Sequence, residues 1–226
     1  MGRPARFSTE LLVGTATALA AEGGPAAVTM AAVARGAGAP SGSLYHRFPG
    51  RPALLAAVWL HALEDFQAGC REALSAEPAL EAAVGTARHV VAWSRARPDL
   101  ARVLLYRPTE FDSPHWPEAD RSRMSAANAG VGGLLARVAL ALREPGEEEA
   151  RARERVRLAV VDLPLSLVRR HLLGGGGVPE DAEALAAESA RRLLQPPSAP
   201  GGAEPPSGCA GDGPGASSDP PSGLRK

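Results

Sequence analysis

Aromatic side chains are scarce in this chain: they make up 4% of its residues, whereas hydrophobic residues as a whole make up 45%. A core of this composition must be built from Ala, Leu and Val, a mixture that favours helices over sheets. At 226 residues, the chain is long enough for one medium domain or two small ones. The composition therefore predicts an all-α protein.

Cysteine is scarce, and long apolar runs are missing. Cys70 and Cys209 are too few and too badly placed for a disulfide framework or a zinc site, so we expect reduced thiols. No continuous apolar run approaches the roughly 20 residues that span a bilayer. The N-terminus carries arginines but lacks the hydrophobic segment of a secretory signal. We expect a cytoplasmic protein with no membrane partner.

Patterns that carry catalytic chemistry are absent as well. The sequence has no nucleophile elbow, and the glycine run 174–177 follows no strand and precedes no Lys-Ser/Thr pair. A lone histidine on a helix is more often packed or solvated than catalytic, and no histidine here has a neighbour at metal-ligand spacing. The histidines are His46, His61, His89, His115 and His171. We therefore expect no enzymatic activity, no metal and no cofactor.

Charge gives a weaker signal. The formal net charge is zero, which excludes a general attraction to nucleic acid. Within residues 1–51, five arginines minus two glutamates leave +3. A basic N-terminal part suits a DNA reader with few phosphate contacts, and ordinary surface charge explains the same count. The residues counted are Arg3, Arg6, Arg35, Arg47, Arg51, Glu10 and Glu22.

The segment 29–48 predicts two short helices joined by a tight turn. The hydroxyl of Thr29 can cap the first helix, and Gly36 and Gly38 allow the backbone of the turn. The fixed φ of Pro40 suits the start of the second helix. The apolar face of the first helix has helical spacing: Met30, Val33, Ala34 and Ala37.

In the second short helix, Leu44 and Phe48 lie four residues apart and face inward. Small, hydroxylated or ring-bearing residues remain on its outer face: Ser41, Gly42, Ser43, Tyr45 and His46. Such a helix can enter a major groove and reach phosphates and base edges. The arrangement indicates a helix-turn-helix.

This segment, followed by residues 50–55 (GRPALL), resembles the DNA-binding signature of the TetR family of transcriptional regulators. The matching features are the threonine that opens the first of these two short helices, the Ala-Gly-Ala before the turn, the GSLYHRF run and the Leu-Leu pair. Many members carry a lysine where this chain has Ser41. The resemblance implies an all-helical homodimer with an N-terminal DNA reader and a C-terminal domain that senses a small molecule.

From this resemblance we expect a ligand-relieved repressor that binds a palindromic double-stranded operator. Thr29 and Arg51 are the expected phosphate binders, and Tyr45 and His46 are expected to contact the groove or the phosphates. The closest approach falls at Ser41, Gly42 and Ser43. The alternative is a helical small-molecule-binding protein or enzyme whose N-terminal head does not bind DNA.

We divide the chain into a helix-turn-helix domain (1–51), a helical ligand-binding and dimerisation domain (52–194) and a disordered Pro/Gly/Ser-rich tail (195–226). Beyond the two short helices, apolar periodicity and breaker residues predict further helices over about 8–22, 51–74, 78–97, 99–106, 117–142, 147–173 and 179–194. The helix 147–173 has two opposed apolar faces and a kink at Pro164, so we expect the last two helices to form the dimer interface.

The loop 107–118 concentrates aromatic residues and prolines. It can form the mouth of a pocket, or its aromatics can simply pin the loop to the surface. The residues predicted to line an effector site are Trp93, Tyr106, Phe111, Trp116, Met124 and Ser166. The identity of the effector does not follow from the sequence.

Overall fold

The structure, a computed structural model, describes residues 7–195, and all regular structure within that range is helical. The arginines of the N-terminal arm and the tail 196–226, with Cys209, lie outside the described residues. The α-helices are α1 (Thr9–Ala27), α2 (Met30–Gly36), α3 (Ser41–Arg47), α4 (Arg51–Leu74), α5 (Ala79–Ala96), α6 (Pro98–Leu104), α7 (Glu118–Ala141), α8 (Glu149–Arg157), α9 (Leu163–Leu173) and α10 (Ala182–Leu194). The predicted all-α class is confirmed.

Short-range chemistry sets most helix starts. The hydroxyls of Ser8 and Thr29 each accept a hydrogen bond from the backbone N–H three residues later, at 3.1 Å in both cases. Proline lies at or just before the start of several others. These prolines are Pro40, Pro78, Pro98 and Pro117.

The helix-turn-helix turn is closed by backbone hydrogen bonds. Gly38 adopts a φ of 63°, its N–H donates to Arg35 O at 3.2 Å, and the Ala39 N–H donates to Ala34 O at 2.9 Å. This pair of bonds is the Schellman arrangement, which requires a left-handed residue at the position of Gly38. Gly36, which we also assigned to the turn, remains helical.

α1 bends near its end. The predicted stop at Gly23–Pro25 appears as a break at Gly24, whose φ is 69°, after which one further turn reaches Ala27. Gly24 is buried, and a Cβ atom there would lie 2.8 Å from the hydroxyl of Tyr106. The bend therefore lets the backbone of the head approach the chain after α6.

One apolar core joins the N-terminal head (α1–α3) to the rest of the described chain (α4–α10), which we call the body. Leu12 of α1, Leu44 of α3 and Leu55 of α4 are fully buried in it. The loop between α6 and α7 forms two 3₁₀ turns, Pro108–Phe111 and Ser113–His115, and sends Phe111 and Trp116 into the same cluster. We call this cluster the junction core.

Several aromatic rings contact one another in the junction core. Trp59 of α4 lies 5.2 Å from Phe111 and 6.5 Å from Trp116, measured between ring centroids, and Tyr106 lies 5.8 Å from Phe111. The indole N–H of Trp116 donates to Phe111 O at 2.7 Å, so its polar atom is satisfied. The aromatics of the loop therefore pin it in place, and the start of the loop, at Arg107 and Glu110, also lines a cavity.

α7 packs along α4 and is joined to it by polar contacts. Arg123 pairs with Glu64 at 2.7 Å, and Gln67 Nε2 donates to Asn128 Oδ1 at 2.9 Å. Among the described helices, α7 alone is long and apolar enough by composition to cross a membrane, which qualifies our expectation that no such segment exists. Its polar contacts with α4 are those of a helix within a bundle.

The turn between α7 and α8 is held by one ion pair. Arg155 donates to the two carboxylate oxygens of Glu147 at 3.0 and 2.7 Å and to Leu142 O at 2.8 Å. These hydrogen bonds to the charged form lower the pKa of Glu147 to about 2, so the carboxylate is ionised at neutral pH. The contact joins the end of α7 to the middle of α8.

The predicted long helix 147–173 is three pieces. A π-helical segment, Leu158–Asp162, joins α8 to α9, and the Leu163 N–H donates to Leu158 O, five residues earlier. Pro164 follows at the start of α9, where its missing N–H leaves a normal helical bond unmade. The predicted kink therefore takes the form of a π-helical insertion.

The insertion changes which residues face inward. A regular α-helix over 147–173 would place Leu163 on one face with Val156 and Val160, and Val168 on the opposite face. In the structure, the buried residues continue at steps of four, namely Val156, Val160, Pro164, Val168 and Leu172. Leu163 is instead exposed, because the wider π turn shifts the register of the residues that follow it.

Replacing the Phe111 ring tests the junction core. Because Phe111 is fully buried among aromatic rings, Phe111→Ala should lower the free energy of unfolding by about 3–5 kcal/mol. The control is Tyr45→Ala, whose ring is 57% exposed and whose loss should change stability by about 0.5 kcal/mol or less. Urea denaturation of both variants measures this, and similar costs for the two would contradict the packing described.

Candidate functional sites

The outer face of α3 is free of packing within the described chain. Ser41, Gly42 and His46 are exposed, Tyr45 is 57% exposed, and Ser43 is partly exposed. Leu44 and Phe48, on the other side, are buried in the junction core. The apolar residues therefore fix the helix, and its polar and ring-bearing residues point away from the protein as the sequence predicts.

Arg51, an expected phosphate binder, has internal partners. Its Nε donates to Val28 O and its Nη2 to Pro25 O, each at 2.7 Å. The guanidinium thus bridges the start of α4 to the chain between α1 and α2. Thr29 is exposed, but its hydroxyl already caps α2. Contact of either residue with phosphate stays a prediction.

Arg47 is also directed inward. Its guanidinium donates to Phe7 O, which ties the end of α3 to the chain before α1. Of the arginines described in the head, Arg35 on α2 is exposed and has no partner among residues 7–195. The positive charge that the described part of the head presents to a ligand is therefore smaller than the count of +3 in the sequence indicates.

The six effector candidates do not form one site. Phe111 and Trp116 are buried in the junction core, and Met124 packs against it. Trp93 is buried elsewhere and donates its indole N–H to Asp65 at 2.6 Å. Ser166 is exposed on α9. Tyr106 lines a cavity.

That cavity lies between α1, α6 with the turn after it, and α9, and its volume is about 460 Å³. Three of its lining residues are arginines: Arg102, Arg107 and Arg169. Leu105 and Leu173 supply apolar surface. No local sequence motif predicts this set of lining residues, because they come from segments far apart in the sequence.

A family model described as bacterial regulatory proteins, tetR family, matches residues 12–58, which span most of α1, the helix-turn-helix and the start of α4. The match includes α3, whose outer face is free of packing within the described chain. Residues 12–58 thus form a DNA-binding head of the TetR type. The chain is a DNA-binding transcriptional regulator, as the residues of the head predict, and no curated protein matches it in sequence.

Solved structures of transcriptional regulators share the fold of this chain. PfmR from Thermus thermophilus is 16% identical, with a TM-score of 0.64 and coverage of 83% of this chain and 96% of that one. KstR2, a ketosteroid regulator of Mycobacterium tuberculosis, is 21% identical, with a TM-score of 0.63 and coverage of 85% and 95%. FadR from Bacillus subtilis in complex with stearoyl-CoA is 16% identical, with a TM-score of 0.61 and coverage of 83% and 98%.

The one cysteine among the described residues, Cys70, is buried and makes no disulfide. Burial raises the pKa of the Cys70 thiol to about 12, so the sulfur stays protonated and is a poor nucleophile. Residues 7–195 contain no group of three or more His, Cys, Asp or Glu side chains that could hold a metal ion. The functional surfaces to consider are therefore the head and the cavity.

Replacing Arg51 separates a structural role from a phosphate contact. The guanidinium of Arg51 donates one hydrogen bond to each of two backbone carbonyls, and neither Lys nor Gln can reproduce this pair. Arg51→Lys and Arg51→Gln should therefore both lower the free energy of unfolding by about 1.5–3 kcal/mol. Thermal denaturation without DNA measures the loss, with Arg35→Gln as the exposed control. If Arg51→Lys keeps full stability, the two hydrogen bonds do not hold the head as described.

Proposed function

We propose that the regulator represses transcription as a dimer that places two α3 helices in successive major grooves of a palindromic operator. The observation that carries this proposal is the unpacked outer face of α3, Ser41–Arg47, within the segment that matches the family. Helices of this type read half-sites spaced by about 34–36 Å, one helical turn of DNA. The α3 face is small and polar at its start, which suits close approach to the groove.

In this proposal, Tyr45 and His46 contact the groove or the phosphates, and Ser41, Gly42 and Ser43 lie closest to the DNA. Their exposure supports the assignment. Because Arg47 and Arg51 are engaged with backbone carbonyls, hydroxyl and ring groups carry much of the contact with the phosphates. Affinity should then fall only moderately with salt, as expected for a protein that neutralises few phosphates.

The dimer forms through α9 and α10. Nine large hydrophobic residues are exposed among the described residues, and six of them lie between residues 158 and 193. A groove between α9 and α10 is lined by Leu163, Leu167 and Leu185 among others. Apolar surface concentrated in one region marks an interaction site, and a two-fold axis would cover it with the same surface of a second copy.

An effector in the body relieves repression by binding more tightly to a state whose heads no longer match the operator. Support comes from one of the similar regulators, FadR of Bacillus subtilis, whose structure contains stearoyl-CoA. The continuous core between the head and the body supports a rigid connection between the two. The regulator acts in the cytoplasm, where its operator lies, and catalyses no reaction.

Operator binding tests the role of α3. A fluorescence-anisotropy titration uses duplexes that flank the protein's own gene, at several salt concentrations. Tyr45→Ala and His46→Ala should each weaken binding by about 1–3 kcal/mol, because each removes a contact to DNA, and should leave stability unchanged. His61→Ala, an exposed histidine on α4, is the control. Unchanged affinity in both α3 variants would show that the head is not used in this way.

A charge placed in the α9–α10 groove tests the dimer. Leu185 is 52% exposed and lines the groove, so Leu185→Glu should give a monomer in light scattering because a carboxylate would have to be buried in the interface. Leu140→Glu, at a residue 58% exposed on α7, should leave the mass unchanged. A dimer that persists in Leu185→Glu would place the interface elsewhere.

A further inference from the structure

The arginine-lined cavity has unbalanced positive charge. Arg102 lies 3.2 Å from Asp99, and Glu110 lies 3.7 Å from the Nε of Arg107 and accepts the Arg107 backbone N–H at 2.7 Å. Arg169 has no hydrogen-bond or ion-pair partner among residues 7–195. Its charge is therefore the one that remains for a ligand.

The other walls of the cavity are apolar. Leu105 and Tyr106 line it from the chain after α6, Ala21 from α1 and Leu173 from α9. Leu173 is 65% exposed, so its side chain lacks a packing partner within the described protomer. A volume of about 460 Å³ falls in the range of small-molecule sites.

We propose that the effector of this regulator is an amphipathic carboxylate that binds in this cavity, with its anionic group on Arg169 and its apolar chain against Leu105 and Leu173. A planar guanidinium matches a carboxylate in a forked pair, and the apolar wall covers the chain. The inference rests on the proposed function, since it names the site and the chemical class of the effector.

The position of Tyr106 gives this cavity a direct contact with the head. Its hydroxyl lies against the backbone of Gly24, at the bend of α1, where even a Cβ atom would come within 2.8 Å. Pro25, the next residue, accepts a hydrogen bond from Arg51 at the start of α4. A ligand that moves Tyr106 therefore acts on the bend that joins α1 to α2 and α4.

The first experiment measures binding without DNA. Straight-chain carboxylates from octanoate to tetradecanoate, below their micelle concentrations, are titrated into the full chain by calorimetry, with decanol and decylamine as uncharged and cationic matches. At least one carboxylate should bind. Decanol and decylamine should bind about tenfold or more weakly than decanoate, because neither can form an ion pair with Arg169.

The matched variants are Arg169→Gln and Arg170→Gln. Arg169→Gln should weaken carboxylate binding about tenfold or more, since a charge-assisted hydrogen bond is lost. Arg170 is the exposed neighbour that does not line the cavity, and its replacement should have less than about a twofold effect. Failure of the whole series to bind, equal binding of decanol, or full affinity in Arg169→Gln would each overturn the proposal.

The second experiment tests the connection to DNA. Tyr106→Phe keeps the ring that lines the cavity and removes the hydroxyl beside Gly24. It should bind the carboxylate within about threefold of the parent and need about fivefold or more ligand to release the operator, a shift within the range of allosteric coupling. Release at the parent's ligand concentration would refute the role of Tyr106.

The two proposals fail in different ways. If the parent does not bind an operator, the repressor assignment fails, while calorimetry with Arg169→Gln still decides whether the cavity takes a carboxylate. If the operator is bound and no carboxylate binds, the effector proposal alone is wrong.

Discussion

Trp59 packs where the head and the body share a core. The ring belongs to α4, the helix that leaves the head, and it is covered by Phe111 and Trp116 from the loop after α6. The chain has few aromatic residues, and several of them pack at this junction. Much of the apolar surface that its large side chains can bury therefore holds the head against the body. The orientation of α3 therefore depends on packing that begins outside the helix-turn-helix.

The same junction explains the inward-facing arginines. A short head with Ala-rich helices buries little apolar surface of its own, and hydrogen bonds from Arg47 and Arg51 fix its chain ends to neighbouring carbonyls. Each of these bonds occupies guanidinium N–H groups that could otherwise donate to DNA phosphates. The head thus gains a defined geometry at the expense of donors for direct phosphate contacts.

The sequence predicts the helices well because their ends are determined locally. Thr29 caps α2 and prolines mark the starts of α6 and α7, so these starts lie within a residue or two of the predicted ones. The residues that face outward on α3 were predictable because Leu44 and Phe48 define the inner face. Both predictions depend on apolar periodicity and helix capping, which involve only residues a few positions apart in the sequence.

Long-range contacts were not predictable in this way. The carbonyl partners of Arg51 lie in the turn before α2, and the cavity joins residues from α1, α6 and α9. The aromatic residues predicted as ligand contacts were chosen because aromatics are rare, and three of them, Trp93, Phe111 and Trp116, lie in packed cores. A residue type reveals what a side chain can do, but the neighbours it meets depend on the tertiary packing.

The π-helical segment has a consequence for how the α9–α10 surface can change. Each residue added to or removed from a helix rotates everything after it by about 100°. The exposure of Leu163 and Leu165 therefore depends on the winding of Leu158–Asp162 as much as on their own identity. A single deletion in this segment would turn the exposed leucines of α9 toward the body and the buried ones outward. Loss or gain of one residue could thus redirect an entire association surface without altering any side chain on it.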